Sequence, residues 1–152
     1  MPADPARPLE GEVALVTGAR GRLGPIWVAA LQAAGAEVIG IDVEDADVRD
    51  RAALETLRDG LGAAATILVN NAGIDQPPDA GAQAVLDHDD FLRVLDVNLA
   101  GAFNAMLVFG EPMAAAGRGA IVNIGSLYAT LAPDPAFYDH MGLDPPFLKP
   151  AA

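Results

Sequence analysis

Apolar residues along the chain fall into short unbroken runs that are separated by longer stretches with helical spacing. Such runs occur at Val13–Val16, Val38–Ile41, Thr66–Val69 and Ala120–Gly125. Short apolar runs that are bounded by Gly, Asp or Asn are typical of strands buried on both faces of a parallel sheet. A further, very short edge strand is predicted at Ala46–Val48.

Apolar residues with a helical period lie between these runs. Helices are predicted from Leu23 to Ala34, from Arg51 to Leu61, and from Asp87 to Ala116, the last with a break near Asn98. The first helix is expected to bury an apolar face that includes Ile26 and Trp27. Strands that alternate with helices in this way predict an α/β fold with a parallel sheet.

The turn between the first strand and the first helix is rich in glycine. Gly18, Gly21 and Gly24 recur at every third position, and Pro25 suits the first turn of the helix that follows. Glycines allow the backbone to approach a pyrophosphate closely, and the free N–H groups at a helix start point toward the anion. The alternative is a tight turn that binds no ligand, which a glycine pattern alone does not exclude.

An acidic residue, Asp42, ends the second predicted strand. A carboxylate at this place can accept hydrogen bonds from both hydroxyls of an adenosine ribose, and its charge opposes a 2′-phosphate. Val43 follows it and is not basic, so the pattern favours NAD over NADP. The alternative is a solvated loop acid, because Glu44, Asp45, Asp47 and Asp50 lie nearby and predict a charged turn.

Composition limits the classes of function. The chain has 152 residues, 52% of them hydrophobic, which predicts one packed domain. A net charge of -12 argues against binding nucleic acid or anionic membranes. Cysteine is absent and the two histidines are not clustered, so disulfides, thiolate chemistry and a metal site are not expected.

Two stretches bear on location. Residues 1–8 are polar and proline-rich and lack an apolar signal region. Residues 99–109 are the most apolar stretch, but they have about half the length of a membrane span and predict a buried helix. These features favour a cytoplasmic protein. The helix carries apolar residues on more than one face, so it needs a second covering surface besides the sheet.

Six motifs in order resemble the short-chain dehydrogenase/reductase family. They are the glycine turn after Val16-Thr17, the acidic Asp42, the pair Asp47-Val48, the run Asn70-Asn71-Ala72-Gly73, and the late segments Asp96-Val97-Asn98-Leu99 and Ile121-Val122-Asn123-Ile124-Gly125-Ser126. The resemblance implies a Rossmann-like doubly wound sheet with strand order 3-2-1-4-5, numbered along the chain. It also implies that residues 1–152 form one NAD(P)-binding domain without the C-terminal part of that sheet, ending in a proline-rich irregular tail over 131–152.

The resemblance also implies roles for individual residues. Those expected to bind the cofactor are Gly18, Arg20, Gly21, Arg22, Leu23, Gly24, Asp42, Asp47, Val48, Asn71, Ala72 and Gly73. Ser126 would hydrogen-bond the substrate oxygen, and Asn98 would hold a water in a proton relay. The implied reaction is hydride transfer between a nicotinamide and a small secondary alcohol or ketone. Helices such as 87–116 usually form the family's oligomer interface.

Two departures qualify this resemblance. Arg22 stands where the commoner glycine pattern of the family has a glycine. The Tyr-x3-Lys motif, which supplies the family's general acid–base, is also absent, and Lys149 is the only lysine. Losing such a group lowers a rate by about 10²–10⁴. We therefore expect residues 1–152 alone to be inactive, and strand 120–125 to form an exposed apolar edge that favours aggregation.

Two other functions are consistent with fewer of these features. The chain could be a non-catalytic nucleotide-binding or regulatory domain that binds NAD without turnover. A hydrolase would use Ser126 and His140 with Asp139 or Asp144. That option is disfavoured because the sequence around Ser126 lacks the second glycine of a nucleophile elbow.

Overall fold

The computed structural model describes residues 7–75, 88–126, 129–131, 134, 136 and 140. The strands found there are β1 (Val13–Thr17), β2 (Glu37–Ile41), β3 (Ile67–Asn70) and β4 (Ala120–Asn123). The helices are α1 (Gly24–Ala33), α2 (Arg51–Gly60), α3 (His88–Leu95) and α4 (Ala102–Ala115), with a π-helical segment (Asp96–Gly101) between the last two. The alternation of strands and helices confirms the predicted α/β fold.

The four strands form one parallel sheet in the order β2-β1-β3-β4. All five residues of β1 are buried, as a central strand covered on both faces requires. The order agrees with the predicted 3-2-1-4-5 arrangement at four of its five places. The missing place is the predicted edge strand at 46–48.

The prediction of a strand at 46–48 is wrong because local contacts bend the backbone there. The Asp47 carboxylate accepts hydrogen bonds from the N–H of Arg49 at 2.9 Å and from its guanidinium at 2.6 Å. The Asp47 carbonyl in turn accepts the N–H of Asp50 at 2.9 Å. These bonds make a turn. Ala46 and Val48 are nevertheless buried, so the apolar alternation reports burial without a strand.

Helix ends follow the local sequence. The Asp50 side chain accepts the N–H of Ala53 at 3.1 Å and so caps the start of α2. After α1, Gly35 adopts a φ of 101°, and the N–H of Ala36 reaches back to the carbonyl of Leu31. This is the glycine-terminated helix end that allows β2 to begin at once.

The main core lies between one face of the sheet and helices α2 and α4. Its largest buried side chains are those of Phe109, Leu15, Leu54 and Leu68. α1 packs on β1 and β2 without joining this core, on the opposite face. The prediction of a buried apolar face on α1 is only partly right, because Leu23 and Ile26 are 48% and 59% exposed. No second helix covers this face within the described residues.

The long helix predicted at 87–116 forms from His88, with the expected break at Asn98 in its π segment; position 87 lies outside the described residues. In the single chain it is buried on one side only, so the second covering surface expected for 99–109 stays a prediction. An exposed apolar stripe runs along its other side and consists of Leu92, Leu95, Leu99, Phe103 and Leu107. By length and hydropathy alone, His88–Ala115 could cross a membrane, but core helices of soluble proteins pass the same test and this finding is weak.

β4 is an edge strand in the described part of the chain, since it pairs only with β3. Its Ile121 and Val122 are 40% and 47% exposed. The exposed apolar edge expected at 120–125 is therefore present over 120–123. The tail predicted at 131–152 lies mostly outside the described residues.

Candidate nucleotide-binding site

The glycine turn packs directly on the segment that follows β3. Gly18 has a φ of 64°, and a Cβ atom there would lie 2.8 Å from the Cα of Ala72. A Cβ on Gly24 would collide with the backbone of Gly18 and Ala19. Both positions therefore require glycine, one for its backbone conformation and both for space. The glycine turn and the run from Asn70 to Gly73, predicted as separate motifs, are therefore packed against each other.

Thr17 joins these two segments by hydrogen bonds. Its Oγ1 accepts the N–H of Asn71 at 3.1 Å and the N–H of Ala72 at 3.0 Å. The Asn71 side chain forms hydrogen bonds in the opposite direction: its Nδ2 donates to the carbonyls of Thr17 and Gly18 at 3.1 and 2.9 Å. Residues 53 to 55 positions apart in the chain are fixed against each other in this way. The sequence pattern identified Thr17 only as the residue that precedes the glycine turn.

Trp27 attaches α1 to the same junction. Its indole Nε1 donates to Oδ1 of Asn71 at 3.1 Å, so the Asn71 side chain uses both its donor and its acceptor atoms. The sequence placed Trp27 on the apolar face of the helix and missed this bond. The available signal was the indole N–H itself, which needs a partner when it is partly buried.

Asp42 lies directly after β2 and faces the glycine turn. Its Oδ2 accepts the N–H of Arg20 at 2.9 Å, and its Oδ1 accepts the N–H of Val43 at 3.0 Å. The N–H of Ala19 also donates to the carbonyl of Ile41 at 3.1 Å. Each carboxylate oxygen can accept a second hydrogen bond. The structure thus brings the carboxylate and the glycine turn together, as expected.

Asp47 and Val48 occupy a different environment. The neighbouring Arg49 guanidinium holds the pKa of Asp47 below its ordinary value. Val48 packs where a Cβ on Gly101 would stand, and its carbonyl accepts from Asn104 Nδ2 at 3.1 Å. Val48 therefore packs toward the π segment and α4, whereas the hydrogen bonds of Asp47 go to Arg49 and Asp50.

Asn98 lies inside the π segment and is fixed by one backbone residue. Its Oδ1 accepts the N–H of Ile74 at 2.8 Å, and its Nδ2 donates to the carbonyl of Ile74 at 3.0 Å. Oδ1 also lies 3.3 Å from the position of a Cβ on Gly73. The Asn98 side chain thus positions the segment that follows Asn71, and π segments of this kind are frequent at functional sites.

Ser126 follows the adjacent strand. β3 and β4 pair in parallel up to Asn70 and Asn123, whose side chains are joined by a 2.8 Å hydrogen bond. The carboxyl ends of these strands therefore share one edge of the sheet, which also carries Gly73. Ser126 is exposed there, three residues beyond β4.

The remaining predicted residues are those of the glycine turn and those of the alternative hydrolase site. Gly21 belongs to the turn, where its N–H donates to the Gly18 carbonyl at 3.1 Å, and Leu23 and Arg22 are exposed beside it. The Arg20 guanidinium points to Glu44 and Asp45. Of the hydrolase residues, His140 is exposed, and positions 139 and 144 lie outside the described residues.

Comparison with known proteins identifies a family to which this chain is similar. The family model of short chain dehydrogenases matches residues 41–137. Galactitol 2-dehydrogenase of Rhizobium johnstonii is 39% identical over 84% of this chain, which covers 58% of the relative. D-threitol dehydrogenase of Mycolicibacterium smegmatis is 32% identical over 83% of this chain and 56% of the relative.

A solved structure agrees with these relatives. A gluconate 5-dehydrogenase from Burkholderia cenocepacia, crystallised with NADP and tartrate, superposes with a TM-score of 0.73 at 28% identity, over 84% of this chain and 58% of that protein. The chain thus spans a little over half the length of the relatives it matches. The family model alone covers most of the sequence, and the chain belongs to the short-chain dehydrogenase family.

Proposed function

We propose that this chain is the cofactor-binding part of an NAD-dependent oxidoreductase that acts on a secondary alcohol or the corresponding ketone. The observation that carries the proposal is the junction of Gly18 with Ala72, beside the carboxylate of Asp42. It forms a small-residue surface at the carboxyl end of a parallel sheet, where doubly wound folds bind their ligands.

The residues present fit a dinucleotide. Gly18 and Gly24 let the turn fold tightly on itself and against Ala72, and the N–H groups at the start of α1 favour a pyrophosphate. The exposed Arg22 adds positive charge to the same turn. Arg20, Gly21 and Leu23 belong to the same turn, and the segment from Asn71 to Gly73 would line the cofactor site beside it. The bound nicotinamide would supply or accept the hydride.

Asp42 supports NAD as the preferred form. Its carboxylate retains acceptor capacity for ribose hydroxyls, and a 2′-phosphate placed beside it would bring two like charges together. The related gluconate dehydrogenase structure contains NADP, so family membership alone does not decide between the two cofactors. Asp47 and Val48 would border the adenine, next to the turn that carries Asp42.

The catalytic proposal concerns Ser126 and Asn98. Ser126 is exposed at the shared strand edge, where its hydroxyl would bind the substrate oxygen. Ile74 engages the Asn98 side chain at both ends. A water in a proton relay would therefore be held by the main chain of the π segment, whose widened turn disrupts the regular hydrogen-bond ladder.

The substrate class follows from the relatives. Two of them are named for galactitol and D-threitol, which are small polyols with secondary hydroxyls. We infer a small polar alcohol or its ketone for this protein, and no nucleic acid ligand, because the net charge is -12. A cytoplasmic location fits such a substrate. A second copy of the chain would cover the exposed apolar stripe of α3 and α4.

Trp27 provides the test, since it is the only tryptophan and is bonded to Asn71 at the junction. Titration of residues 1–152 with NAD should change its fluorescence in a saturable way. Replacing Asp42 with Ala should weaken NAD binding by about tenfold, or about 1.4 kcal/mol, and should reduce the preference over NADP. Asp59→Ala, which removes an exposed acid from α2, is the matched control.

Turnover is measured in the same samples. Without the Tyr-x3-Lys motif, residues 1–152 should bind NAD and produce no NADH from polyols. Absence of NAD binding would contradict the proposed site. Binding without turnover by a longer protein that carries the motif would instead favour the regulatory-domain alternative. An unchanged cofactor preference in Asp42→Ala would make Asp42 an ordinary loop acid.

A further inference from the structure

Two residues of the candidate site make opposite demands on the cofactor. Asp42 favours a ribose with free hydroxyls, whereas an arginine close to that ribose is the usual partner of a 2′-phosphate. Arg20 is such an arginine, because its own N–H donates to the Asp42 carboxylate at 2.9 Å. Its guanidinium therefore decides whether the turn opposes or attracts a 2′-phosphate.

The structure shows where that guanidinium is held. Nη2 of Arg20 lies 2.7 Å from Oε2 of Glu44 and 2.8 Å from Oδ2 of Asp45. The same Asp45 oxygen accepts the N–H of Asp42 at 2.9 Å. Asp45 is thus fixed by the turn itself and offers a fixed partner to Arg20. The contact lowers the pKa of Glu44, and the backbone N–H of Asp42 is the larger cause of the lowered pKa of Asp45.

We propose that Glu44 and Asp45 are specificity-determining residues for the cofactor, because they hold Arg20 away from a 2′-phosphate. This inference rests on the proposed function, since it concerns the same dinucleotide site. Asp42 then accounts for only part of the discrimination against NADP. The acidic pair accounts for the rest by occupying the guanidinium of Arg20, whose backbone N–H is bonded to Asp42.

Charge makes the same argument. Asp42, Glu44 and Asp45 carry three negative charges against one positive charge on Arg20, so these four side chains have a net charge of -2. A 2′-phosphate could recruit Arg20 only by leaving two carboxylates without their cation. If Glu44 and Asp45 were replaced by neutral residues, the same four positions would carry no net charge and Arg20 would be available as a planar donor, the geometry that suits phosphate oxygens.

The decisive variant is Glu44→Gln with Asp45→Asn. Both changes preserve size, and the Asn amide oxygen can still accept the N–H of Asp42. We expect NADP to bind at least about tenfold more tightly than to the unchanged protein, while NAD binding changes by less than about threefold. Binding is followed by calorimetry on residues 1–152 and on any longer form of the protein.

Arg20→Gln identifies the cause of that gain. In the unchanged background it should leave NADP binding nearly constant, because Arg20 is already occupied. In the Glu44→Gln, Asp45→Asn background it should remove the gain. Arg22→Gln is the control, since Arg22 lies in the same turn without an acidic partner among the described residues. Its effect on NADP should be equal in both backgrounds.

The outcomes separate the two proposals. If neither cofactor binds the unchanged protein, the proposed function fails and this inference fails with it. If NAD binds but the NADP gain is absent, or persists after Arg20→Gln, only the role of the acidic pair is overturned. A second measurement needs no cofactor: Arg20→Gln should raise the pKa of Glu44 in an NMR titration, and an unchanged pKa would contradict the contact.

Discussion

The edge of the sheet that carries the glycine turn differs from the outer side of α3 and α4 in how far its groups are paired or buried. At the edge, Thr17 and Asn71 satisfy each other's backbone and side-chain groups, and Gly18 packs against Ala72 without space for a Cβ. Along the helices, Leu99 and Phe103 are 66% and 54% exposed. The first region is complete within the described chain, whereas the second presents apolar area that remains in contact with solvent.

The difference concerns what each region needs from elsewhere. A hydrogen bond adds about 0.5–1.5 kcal/mol, so the edge gains stability from contacts that already exist. An apolar side chain gains about 1.5–3 kcal/mol only when it becomes buried. The stripe on α3 and α4 therefore stabilises the protein only when another surface covers it. Solitary exposed apolar residues are common, whereas large contiguous apolar patches are typical of interaction surfaces, so the stripe is a candidate for one.

The first prediction, for which we expect the greatest loss of stability, tests the packing of Gly18 against Ala72. Gly18→Val places a branched side chain at a positive φ and against the backbone of Ala72, which should destabilise folding by about 2–5 kcal/mol. Urea unfolding followed by circular dichroism measures this. Gly117 has a similar φ of 66° with open space around it, so Gly117→Val should cost only the conformational part, about 1–2 kcal/mol.

Equal losses of folding stability in the two glycine variants would contradict a close packing contact at Gly18. They would mean that backbone conformation alone, and not contact between the two motifs, makes Gly18 necessary. A larger loss for Gly18→Val would localise the difference to the contact with Ala72. The Trp27 fluorescence of the variant should then also fail to respond to NAD.

The second test compares two leucines on helices. Leu54 is fully buried in the core, and Leu99 is the most exposed residue of the stripe. Leu54→Ala should destabilise folding by about 2–5 kcal/mol at every protein concentration. Leu99→Ala should have an effect of less than about 1 kcal/mol in dilute protein, and its effect should grow with concentration if a second copy covers the stripe.

Analytical ultracentrifugation of the same samples decides what the stripe does. Leu99→Ala should shift the protein toward monomers, whereas Leu54→Ala should affect association only through unfolding. A concentration-independent effect of Leu99→Ala, with unchanged sedimentation, would remove the stripe as an association surface and leave it an ordinary solvated helix face.

The sequence was sufficient wherever local pattern and backbone demands agreed. The apolar run of β1, the glycine turn and the acid at the end of β2 are all found where the pattern predicts them. The break at Asn98 is also found, as a π segment. In each case neighbouring residues impose the structure, so a short stretch contains the information that specifies it.

The sequence was insufficient where the partner of a residue lies far along the chain. The bond between Trp27 and Asn71 joins residues 44 positions apart, and no periodicity indicates it. Periodicity also overstated burial on α1, because a helix face shows what can be buried and not what covers it. At 46–48 the error was of another kind, since Asp47 competes locally for the backbone groups that a strand would use.

The last prediction concerns the ion pair of Arg49 and Asp47, for which we expect the smallest change. Arg49 lines a surface groove together with residues of the apolar stripe, and its guanidinium binds Asp47, which precedes α2. Because Arg49 lowers the pKa of Asp47, the pair should stabilise folding above the ordinary aspartate value of 3.8 and lose that contribution as the pH falls through the lowered pKa.

Arg49→Gln should therefore raise the pKa of Asp47 in an NMR titration and cost at most about 1 kcal/mol near neutral pH, since both side chains are partly exposed. Arg51→Gln, which removes an equal charge whose partner is Glu55, should leave Asp47 unchanged. Equal shifts from both variants would mean that Asp47 responds to the general charge of this turn. A shift from Arg49→Gln alone would show that one contact holds the turn that replaces the expected edge strand.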